Sequence, residues 1–538
     1  MKLPPIRLSN TGRRLLLTGL FITVSGVLSG LPMLALWGQV ILAVLVLGYP
    51  LTMRAALRCH PDALMISCLP PVGPGGGVVA GQELRLSICV DNPGLAAIPI
   101  AHVLPICSNG IQIMKDATSK RLPAQSNTTW EIPATALRVG PAQIYGVQLK
   151  LGGPMGLFQS TSYRPIDLPV SILPRSASTR RSRLKLKATV AEQDALNAQS
   201  SQVRGMSNDI RELREHVPGD PFKHIAWKAS ARARKLIVKE YESQENLSAY
   251  VLLDIGGTMR WGEIGSTRLD SAIDLTFHLA RTLATQHGQF GLLSFDHDLY
   301  GLTRASAGLG MPRRVMEHLL EVHAVVHEGF TDISTDGLVH KIGEFLKTHD
   351  GIDFTLSETL LAMSQHAISP FDAEAIFSHV SNYLQKHKLL DTHLHMVSEP
   401  AADSRLARLR HFCRLRGIEL PYRRDTLPYP KEVGLTRAIQ RAISIGGGPH
   451  TLIVVSDLVG IRDMDQFLNA VGLARSHRHR LVFFCHDGPG FDIPTSEQGL
   501  ESRLSGLYAD ELLQKRRELA HRLRASRIDV RMLGLNAA

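Results

Sequence analysis

A long uncharged stretch near the start of the chain limits the folds that are open to it. No charged side chain occurs between Leu15 and Met53. A helix needs roughly 20 apolar residues to cross a membrane, so this stretch is long enough for two spanning helices. The segment from Gly30 to Pro32 is typical of a turn between them. The sequence therefore predicts a membrane anchor of two transmembrane helices within residues 1–58.

The residues that flank this stretch indicate its orientation. Basic side chains precede it at Lys2, Arg7, Arg13 and Arg14 and follow it at Arg54 and Arg58. Because positive flanks stay on the cytoplasmic side, both ends of the anchor and everything after residue 58 are expected in the cytoplasm. The alternative is a cleaved signal peptide followed by one spanning helix. No small-x-small cleavage site stands where such a peptide needs it, and the apolar run continues past Pro32, so we prefer the helical hairpin.

Composition narrows the classes of partner and cofactor. A chain of 538 residues is too long for a single core and indicates two or three domains. The net charge of +11 comes from basic residues that are scattered rather than clustered with aromatic ones, so no nucleic-acid partner is expected. The six cysteines include no Cys-x-x-Cys pair, which argues against zinc and favours reduced thiols.

Two changes of pattern divide the rest of the chain. Residues 78–174 alternate short apolar runs with turn residues, which is typical of a small antiparallel β-sandwich. A joint rich in proline and glycine precedes this domain, and residues 175–245 form a linker that ends in a distinctive charged segment. From residue 246 to 538, apolar strands alternate with amphipathic helices. This alternation predicts a doubly wound, mostly parallel sheet of Rossmann-like type, interrupted by a mainly helical insertion at about 330–432.

Aspartates follow four of the expected strands. In a parallel sheet, ligands bind at the carboxyl ends of the strands, because those ends meet along one edge. The four are Asp254, Asp296, Asp457 and Asp487. The sequence therefore places oxygen-bearing side chains, distant along the chain, at one edge of the sheet.

The charged segment at 209–245 has three expected parts. An extended stretch leads to a turn at Pro218 and Gly219, after which Asp220 caps a helix that has Pro221 at its first position. Apolar residues recur at helical spacing as far as Ala233, and the following KLIVKEYE is typical of a strand.

The same segment resembles the signature of the bacterial "domain of unknown function 58" family. That signature combines an arginine-rich stretch, a Pro-Gly-Asp turn, an Ile-x-Trp pair and a Ser-Ala-Arg ahead of a von Willebrand factor type A (vWA) domain. The matching residues are Arg211, Arg214, Pro218, Gly219, Asp220, Ile225, Trp227, Ser230, Ala231 and Arg232. The order of membrane segments, β-rich domain and sheet domain is also similar, which leaves only the insertion uncovered. The resemblance implies a protein of the bacterial inner membrane with a vWA-like domain.

The signature residues allow two interpretations. Arginines can pair with nearby carboxylates and hold the segment together, since a guanidinium suits such pairing. Alternatively, a partner protein binds at a surface formed by Arg211, Arg214, Asp220, Trp227 and Arg232. The sequence alone leaves both interpretations open.

The vWA resemblance implies a metal site around the stretch VLLDIGGTM at 251–259. Such a site takes Asp-x-Ser-x-Ser after the first strand, a threonine from a later loop and an aspartate after another strand, with Mg²⁺ as the cation. The corresponding residues are Asp254, Thr258, Thr436 and Asp457. Gly256 supplies no hydroxyl and makes the site degenerate, and Thr331 is a rival for the loop threonine.

Three functions are consistent with these features. Two of them, an adaptor and a structural scaffold, require no catalytic residue. The preferred one is a non-enzymatic adaptor that docks a partner at the strand ends; the resemblance implies a MoxR-type AAA+ ATPase. The second is a structural envelope scaffold without a metal. The third is a phosphotransferase in which the Asp-x-Gly-Gly-Thr loop binds phosphate, but that loop normally joins antiparallel strands, whereas a helix follows here.

Overall fold

A computed structural model provides the architecture of the chain. It describes residues 6–58, 64–71, 77–95, 97–114, 120–152, 156–175, 210–217, 220, 222–241, 248–323, 331–356, 370–386, 404–423, 430–445, 448–459, 461–487, 514, 517–525 and 528–534. The chain forms two compact units. The first comprises Met1–Ser178, His323–Thr392 and Pro400–Arg424, and the second comprises Thr179–Val322, His393–Glu399 and Asp425–Ala538.

The elements follow one another in this order. The N-terminal part contains β1 (Ile6–Leu8), α1 (Asn10–Leu28), α2 (Pro32–Arg58), β2 (Met65–Leu69), β3 (Val78–Val79), β4 (Glu83–Asn92), β5 (Ile98–Cys107), β6 (Ile111–Ile113), β7 (Lys120–Leu122), β8 (Ser126–Ala136), β9 (Gly140–Gly152) and β10 (Phe158–Leu173). Next come β11 (Ile210–Glu215), α3 (Trp227–Ala233), β12 (Ile237–Tyr241), β13 (Ser248–Asp254), α4 (Arg268–Thr285), β14 (Gln289–Phe295), β15 (Leu299–Ser306) and α5 (Met311–Glu321). The chain continues with α6 (Thr335–Phe345), α7 (Ala373–Lys386), α8 (Ser404–Leu415), α9 (Lys431–Ser444), β16 (Thr451–Ser456), α10 (Met464–Ser476), β17 (Arg480–Asp487) and β18 (Asp529–Gly534).

Helices α1 and α2 are each long and apolar enough to cross a membrane. The side chain of Ser9 caps α1 by accepting the N–H of Gly12 at 3.0 Å. The two helices pack closely, since a Cβ at Gly26 would lie 2.4 Å from the backbone nitrogen of Ala35. Many of their apolar side chains are exposed; that of Phe21 is 73% exposed. The two apolar N-terminal helices expected from the sequence are confirmed.

The β domain of the first unit consists of two sheets. One has the strand order β1-β10-β9-β5-β7, with β3 also paired to β10, and the other has the order β2-β4-β8-β6. All these pairings are antiparallel except the one between β3 and β10. In β4 every second side chain, from Leu84 to Val90, is buried, as expected for strands with one face towards a core.

Helices α6, α7 and α8 come from the predicted insertion. They belong to the first unit and not to the second unit, which contains strands β13 to β18. They share a core that includes Leu338, Ile376 and Phe412. Arg416, just after α8, is buried and ion-pairs with Asp167 of β10 at 2.5 Å and with Asp350 at 2.6 Å. These contacts hold the inserted helices against the β domain.

The second unit contains a six-stranded sheet in the order β15-β14-β13-β16-β17-β18. The pairs from β14 through β18 are parallel, and only β15, at the edge, is antiparallel. All six residues of β16 are buried, as expected for a strand covered on both faces. A core on the sheet includes Tyr250, Phe295 and Phe483.

The fold prediction is confirmed as a mixed α/β chain. Across all sheets, however, antiparallel pairings outnumber parallel ones. The sequence did not indicate β15, which turns back directly after Asp296 and pairs with β14 as a hairpin. Apolar and polar residues alternate around Tyr300, but over too few positions to distinguish a strand from a loop by sequence.

The charged segment at 210–241 departs from its expected form in one respect. Strands β11 and β12 form a two-stranded antiparallel sheet, so the expected returning strand is present. The helix, however, starts at Trp227 and not at Asp220, and a 3₁₀ turn, Phe222–His224, precedes it. Ile225 interrupts the helix because its backbone bridges to Val238 in β12.

Candidate functional site

Two aspartates meet where neighbouring parallel strands end. Asp254 is the last residue of β13, and Asp457 directly follows β16. These strands are paired, with Leu253 opposite Val455, so the two carboxylates lie at the same edge of the sheet. Neither residue has any exposed surface. We call Asp254, Thr258, Lys431, Asp457 and the residues that hydrogen-bond to them the strand-end cluster.

The centre of the strand-end cluster is the ammonium group of Lys431, the first residue of α9. Its Nζ donates to Asp254 Oδ2 at 2.8 Å, to Thr258 Oγ1 at 2.7 Å and to Asp457 Oδ1 at 3.1 Å. A lysine ammonium has three donors, and here all three find an oxygen acceptor. The charge of Lys431 is therefore fully hydrogen-bonded inside the protein.

Further donors complete the coordination of the two carboxylates. Arg268 Nη1 donates to Asp457 Oδ2 at 3.1 Å, and Ser456 Oγ donates to Asp254 Oδ2 at 2.6 Å. Backbone N–H groups of Gly256 and Val459 donate to Asp254 and Asp457 at 2.9 and 3.0 Å. The carboxylates of Asp254 and Asp457 are thus each paired with a buried cation, which is the pairing that burial of charge requires, and Asp296 is a further buried carboxylate that acts on Lys431.

The pKa values of these groups follow from burial and from their neighbours. Burial alone would lower the pKa of Lys431, but Asp254 and Asp457 outweigh this effect and raise it. Burial acts to raise the pKa of Asp457, yet Lys431 and Arg268 hold it at about 2. Burial raises the pKa of Asp254; the charge of Lys431 opposes this rise, and the charge of Asp457 adds to it. Lys431 therefore stays protonated at neutral pH.

The structure brings three of the four predicted metal ligands together. Asp254, Thr258 and Asp457 all contact the Lys431 ammonium. Thr436 lies on α9, but its buried hydroxyl has no hydrogen-bond partner in the described part of the chain. The rival Thr331 lies in the first unit, where its hydroxyl accepts the N–H of Ile333 at 3.2 Å.

Three members of the cluster were not predicted from the sequence. Lys431, Arg268 and Ser456 supply the cations and the hydroxyl that contact the aspartates. Ser456 directly precedes Asp457 and could have been inferred from its place at the strand end. Lys431 and Arg268 carry no such signal, because lysine and arginine at a helix start are usually solvated.

The residues do not fit Mg²⁺ in this arrangement. Magnesium requires oxygen ligands at about 2.0–2.1 Å in near-octahedral geometry, and the oxygens that could supply them already accept from Lys431. Among the residues that the structure describes, no group of three or more His, Cys, Asp or Glu side chains could hold a metal ion. A partner also cannot touch the carboxylates of Asp254 and Asp457, because both are fully buried.

The loop after β13 differs from a sugar-kinase phosphate loop. Residues Gly257–Arg260 form a 3₁₀ turn, α4 follows, and the next strand, β14, is parallel to β13. A phosphate loop of that type joins two antiparallel strands, so the connection here is of another kind. The stretch VLLDIGGTM is a strand end and turn whose aspartate binds an internal ammonium.

A second candidate site lies on the charged segment. Arg214 and Asp220 form a two-pronged ion pair with N–O distances of 2.9 and 2.7 Å. The Arg214 hydrogen bonds and the N–H of Val217 hold the pKa of Asp220 at about 2. These two signature residues therefore stabilise the turn, as in the first interpretation above. Pro218 and Gly219 lie outside the described residues, and Arg211 lies on β11.

Two other signature residues, Trp227 and Arg232, line a surface groove of about 560 Å³. The lining also includes Leu213, Lys228 and Lys239 and three alanines of 226–233. Trp227 is 65% exposed and Leu213 is 53% exposed. We call this surface the Trp227 groove.

Comparisons with known proteins agree with the signature segment. Residues 212–362 match the family described as "Protein of unknown function DUF58". An uncharacterized protein of Bacillus subtilis (strain 168), YeaD, is 25% identical over 115 residues, which are 21% of this chain. The match spans 28% of that relative's length.

Solved structures resemble the chain only weakly. Alpha-2-macroglobulin from Escherichia coli, from domain MG7 to its C-terminus, is 12% identical, with 78% of this chain and 55% of that chain covered and a TM-score of 0.17. The sporulation control protein Spo0M from Bacillus subtilis is 11% identical, covers 29% of this chain and 58% of its own, and has a TM-score of 0.15. Scores this low carry no information about the fold or the function.

Proposed function

We propose that the chain is a membrane-anchored adaptor that has no catalytic activity of its own and docks a partner protein at the Trp227 groove. The observation that carries this proposal is the exposed tryptophan beside an apolar strand residue, within the family signature. Exposed tryptophans flanked by arginine are typical of residues that dominate protein–protein binding energy. Trp227, Leu213 and the alanines of the groove lie together, and contiguous exposed apolar surface of this kind is what protein–protein interaction sites present.

The lining of the groove indicates what the partner presents. Lys228, Arg232 and Lys239 are its charged residues, and no acidic side chain that the structure describes lines it. Within the described part of the chain, these three side chains take part in no ion pair. Charge complementarity therefore favours a partner segment that carries an apolar side chain between acidic ones. Such a segment would bury the Trp227 ring and neutralise the basic rim.

The resemblance to the family suggests the class of partner. We propose a MoxR-type AAA+ ATPase, which would supply the energy for assembling or maturing other complexes. The chain would provide the anchor, through α1 and α2, and the docking surface. This assignment places the protein in the bacterial inner membrane with both units in the cytoplasm. The parallel pairings of β13, β14, β16, β17 and β18 support a doubly wound, vWA-like second unit.

The proposal is tested with full-length protein in nanodiscs and a purified MoxR-type ATPase encoded in the same genome. Binding is measured by interferometry for the wild type, Trp227→Ala and Arg232→Glu. We expect each substitution to weaken binding at least tenfold, or about 1.4 kcal/mol, because each removes a central contact. Arg441→Glu is the matched control, since Arg441 is exposed and lies on α9 outside the groove; its affinity should stay within twofold.

Three other results would contradict the proposal. Equal binding by all variants would place the docking surface elsewhere. Binding that is lost only on changes in the β domain would favour the structural scaffold. ATP hydrolysis by the purified chain that disappears in Asp254→Ala would favour the phosphotransferase.

A further inference from the structure

We infer that the strand-end cluster is a cation site whose resident cation is the side chain of Lys431, and that removing this side chain creates a divalent-metal site. This inference does not depend on the proposed docking function, because no member of the Trp227 groove belongs to the cluster. It starts from the ligands. The Lys431 ammonium takes one oxygen each from Asp254, Thr258 and Asp457, at 2.7 to 3.1 Å. These are residue types that bind small hard cations.

The shared oxygen ligands make lysine and a metal mutually exclusive. The carboxylates of Asp254 and Asp457 are contacted by two cations, Lys431 and Arg268. The oxygens of Asp254, Thr258 and Asp457 that a divalent ion would need already accept from the ammonium, so the ion can enter only when the lysine side chain leaves. Without the Lys431 ammonium, one buried carboxylate loses its counter-ion. A divalent ion could then supply the missing charge.

Gly256 provides an independent observation for the same conclusion. A Cβ at this position would lie 2.7 Å from Cε of Lys431 and 2.8 Å from Oδ1 of Asp296. No residue larger than glycine fits without displacing the lysine or the carboxylate. The two departures from the vWA pattern are therefore linked: the glycine that replaces a hydroxyl ligand makes room for the lysine that replaces the metal.

The first experiment uses the unmodified, full-length protein in detergent. We expect its melting temperature to change by less than 1 °C on addition of a chelator or of millimolar Mn²⁺, because the site already holds a cation. Calorimetric titration with Mg²⁺ or Mn²⁺ should show no saturable binding. A chelator that lowers the melting temperature, or saturable metal binding, would overturn the inference.

The second experiment removes the resident cation. Lys431→Ala should melt at a lower temperature than the wild type and should gain Mn²⁺ binding at least tenfold tighter than any wild-type binding. Saturating Mn²⁺ should restore several degrees of the loss, since a ligand that binds only the folded state stabilises it. Lys431→Met, which fills the same space without a charge, should be destabilised and should not bind Mn²⁺. A folded Lys431→Ala protein that binds no Mn²⁺ would overturn the inference.

Two controls complete the design. The double variant Lys431→Ala/Asp457→Asn should lose the gained Mn²⁺ binding, whereas Lys235→Ala, which removes an exposed lysine, should resemble the wild type. If Lys431→Ala does not fold, the wild type is tested instead. Its lysines are acetylated, and mass spectrometry measures how fast each one reacts. Lys431 should react at least a hundredfold more slowly than Lys235. Equal rates would show that its ammonium is free, and the inference would fail.

Discussion

Gly256 is the residue that ties the turn after β13 to the chemistry of the strand-end cluster. In the sequence it stands out only as a missing hydroxyl. In the structure its lack of a side chain allows Lys431 to reach both aspartates, because any Cβ would overlap the lysine stem. The absence of a side chain at Gly256, which departs from the metal-binding pattern, is thus what allows a lysine to balance the charges of the two aspartates.

Substitution of Gly256 by serine tests this explanation. Although Gly256→Ser restores the residue type of a metal-binding pattern, we expect it to lower the free energy of unfolding by about 1–3 kcal/mol, as overpacking does. Denaturant unfolding of the full-length protein measures the effect. Gly472→Ser is the control, because a Cβ at that exposed position of α10 meets no atom within 4 Å. Equal stability of Gly256→Ser and the wild type would contradict the expected overlap.

The residues of the cluster also show what sequence patterns can and cannot reveal. Asp254 and Asp457 were predictable, because carboxyl ends of neighbouring parallel strands meet at one edge. Lys431 was not, since its position depends on how α9 approaches the sheet, and nothing local to PKEVGLT encodes that approach. For the same reason Thr436, chosen by analogy, lies on the correct helix but contacts none of the other predicted ligands among the described hydrogen bonds.

At the scale of elements, the inserted helices depend on Arg416. Its guanidinium joins Asp167 of β10 to Asp350 of the turn after α6 and lies over the rings of Phe345 and Tyr383, at 5.2 and 5.7 Å. Burial acts to raise the pKa of Asp350, but the positive charge of Arg416 opposes this rise. The planar fork of arginine suits both tasks, pairing with carboxylates and stacking on rings.

Replacing Arg416 should therefore loosen the inserted helices. We expect Arg416→Met to reduce the free energy of unfolding by about 3–5 kcal/mol, because it leaves carboxylates without their partner, and Arg416→Lys to recover little of the loss. Hydrogen exchange of α7 and α8 should rise in both variants. Arg405→Met, at an exposed pair with Glu374, should change stability by no more than about 1 kcal/mol. Unchanged exchange in Arg416→Met would refute the role.

Some helices and strands could be predicted from their local sequence, and others could not. The buried strands β13, β14, β16, β17 and β18 were all predictable, since each is a continuous apolar run bounded by turn residues. The start of α3 was not, because the backbone of Ile225 pairs with β12 across the chain, and this tertiary contact overrides the local helical spacing. The placement of α6 to α8 in the first unit likewise rests on a distant contact, that of Arg416.

At the scale of the whole molecule, the two apolar helices α1 and α2 carry the prediction of the compartment that the rest of the chain occupies. The close approach of α1 and α2 at Gly26 is consistent with a helical hairpin that leaves and re-enters the same side. The basic residues on both flanks give the direction: both ends of the hairpin should lie in the cytoplasm.

Reporter fusions in bacterial cells test this topology. We expect a fluorescent protein to be bright, and alkaline phosphatase inactive, when fused to either end of the chain, because fluorescent protein folds in the cytoplasm and the phosphatase does not. The protein should also stay in the membrane pellet after carbonate extraction. A cleaved signal peptide followed by one spanning helix would leave the signals at the C-terminal end unchanged but would separate the N-terminal reporter from the rest of the chain, which would contradict the hairpin.

The first unit is assembled from stretches that are far apart in the chain, since Met1–Ser178 is completed by residues up to Arg424. At translation speeds of about 5–20 residues per second, the ribosome needs on the order of 10–50 s to deliver the missing helices. During that interval the nascent β domain lacks the helices that complete its unit. The growing chain meanwhile exposes the strands of the second unit, so this protein should engage cellular chaperones during its synthesis more than one whose domains emerge in sequence.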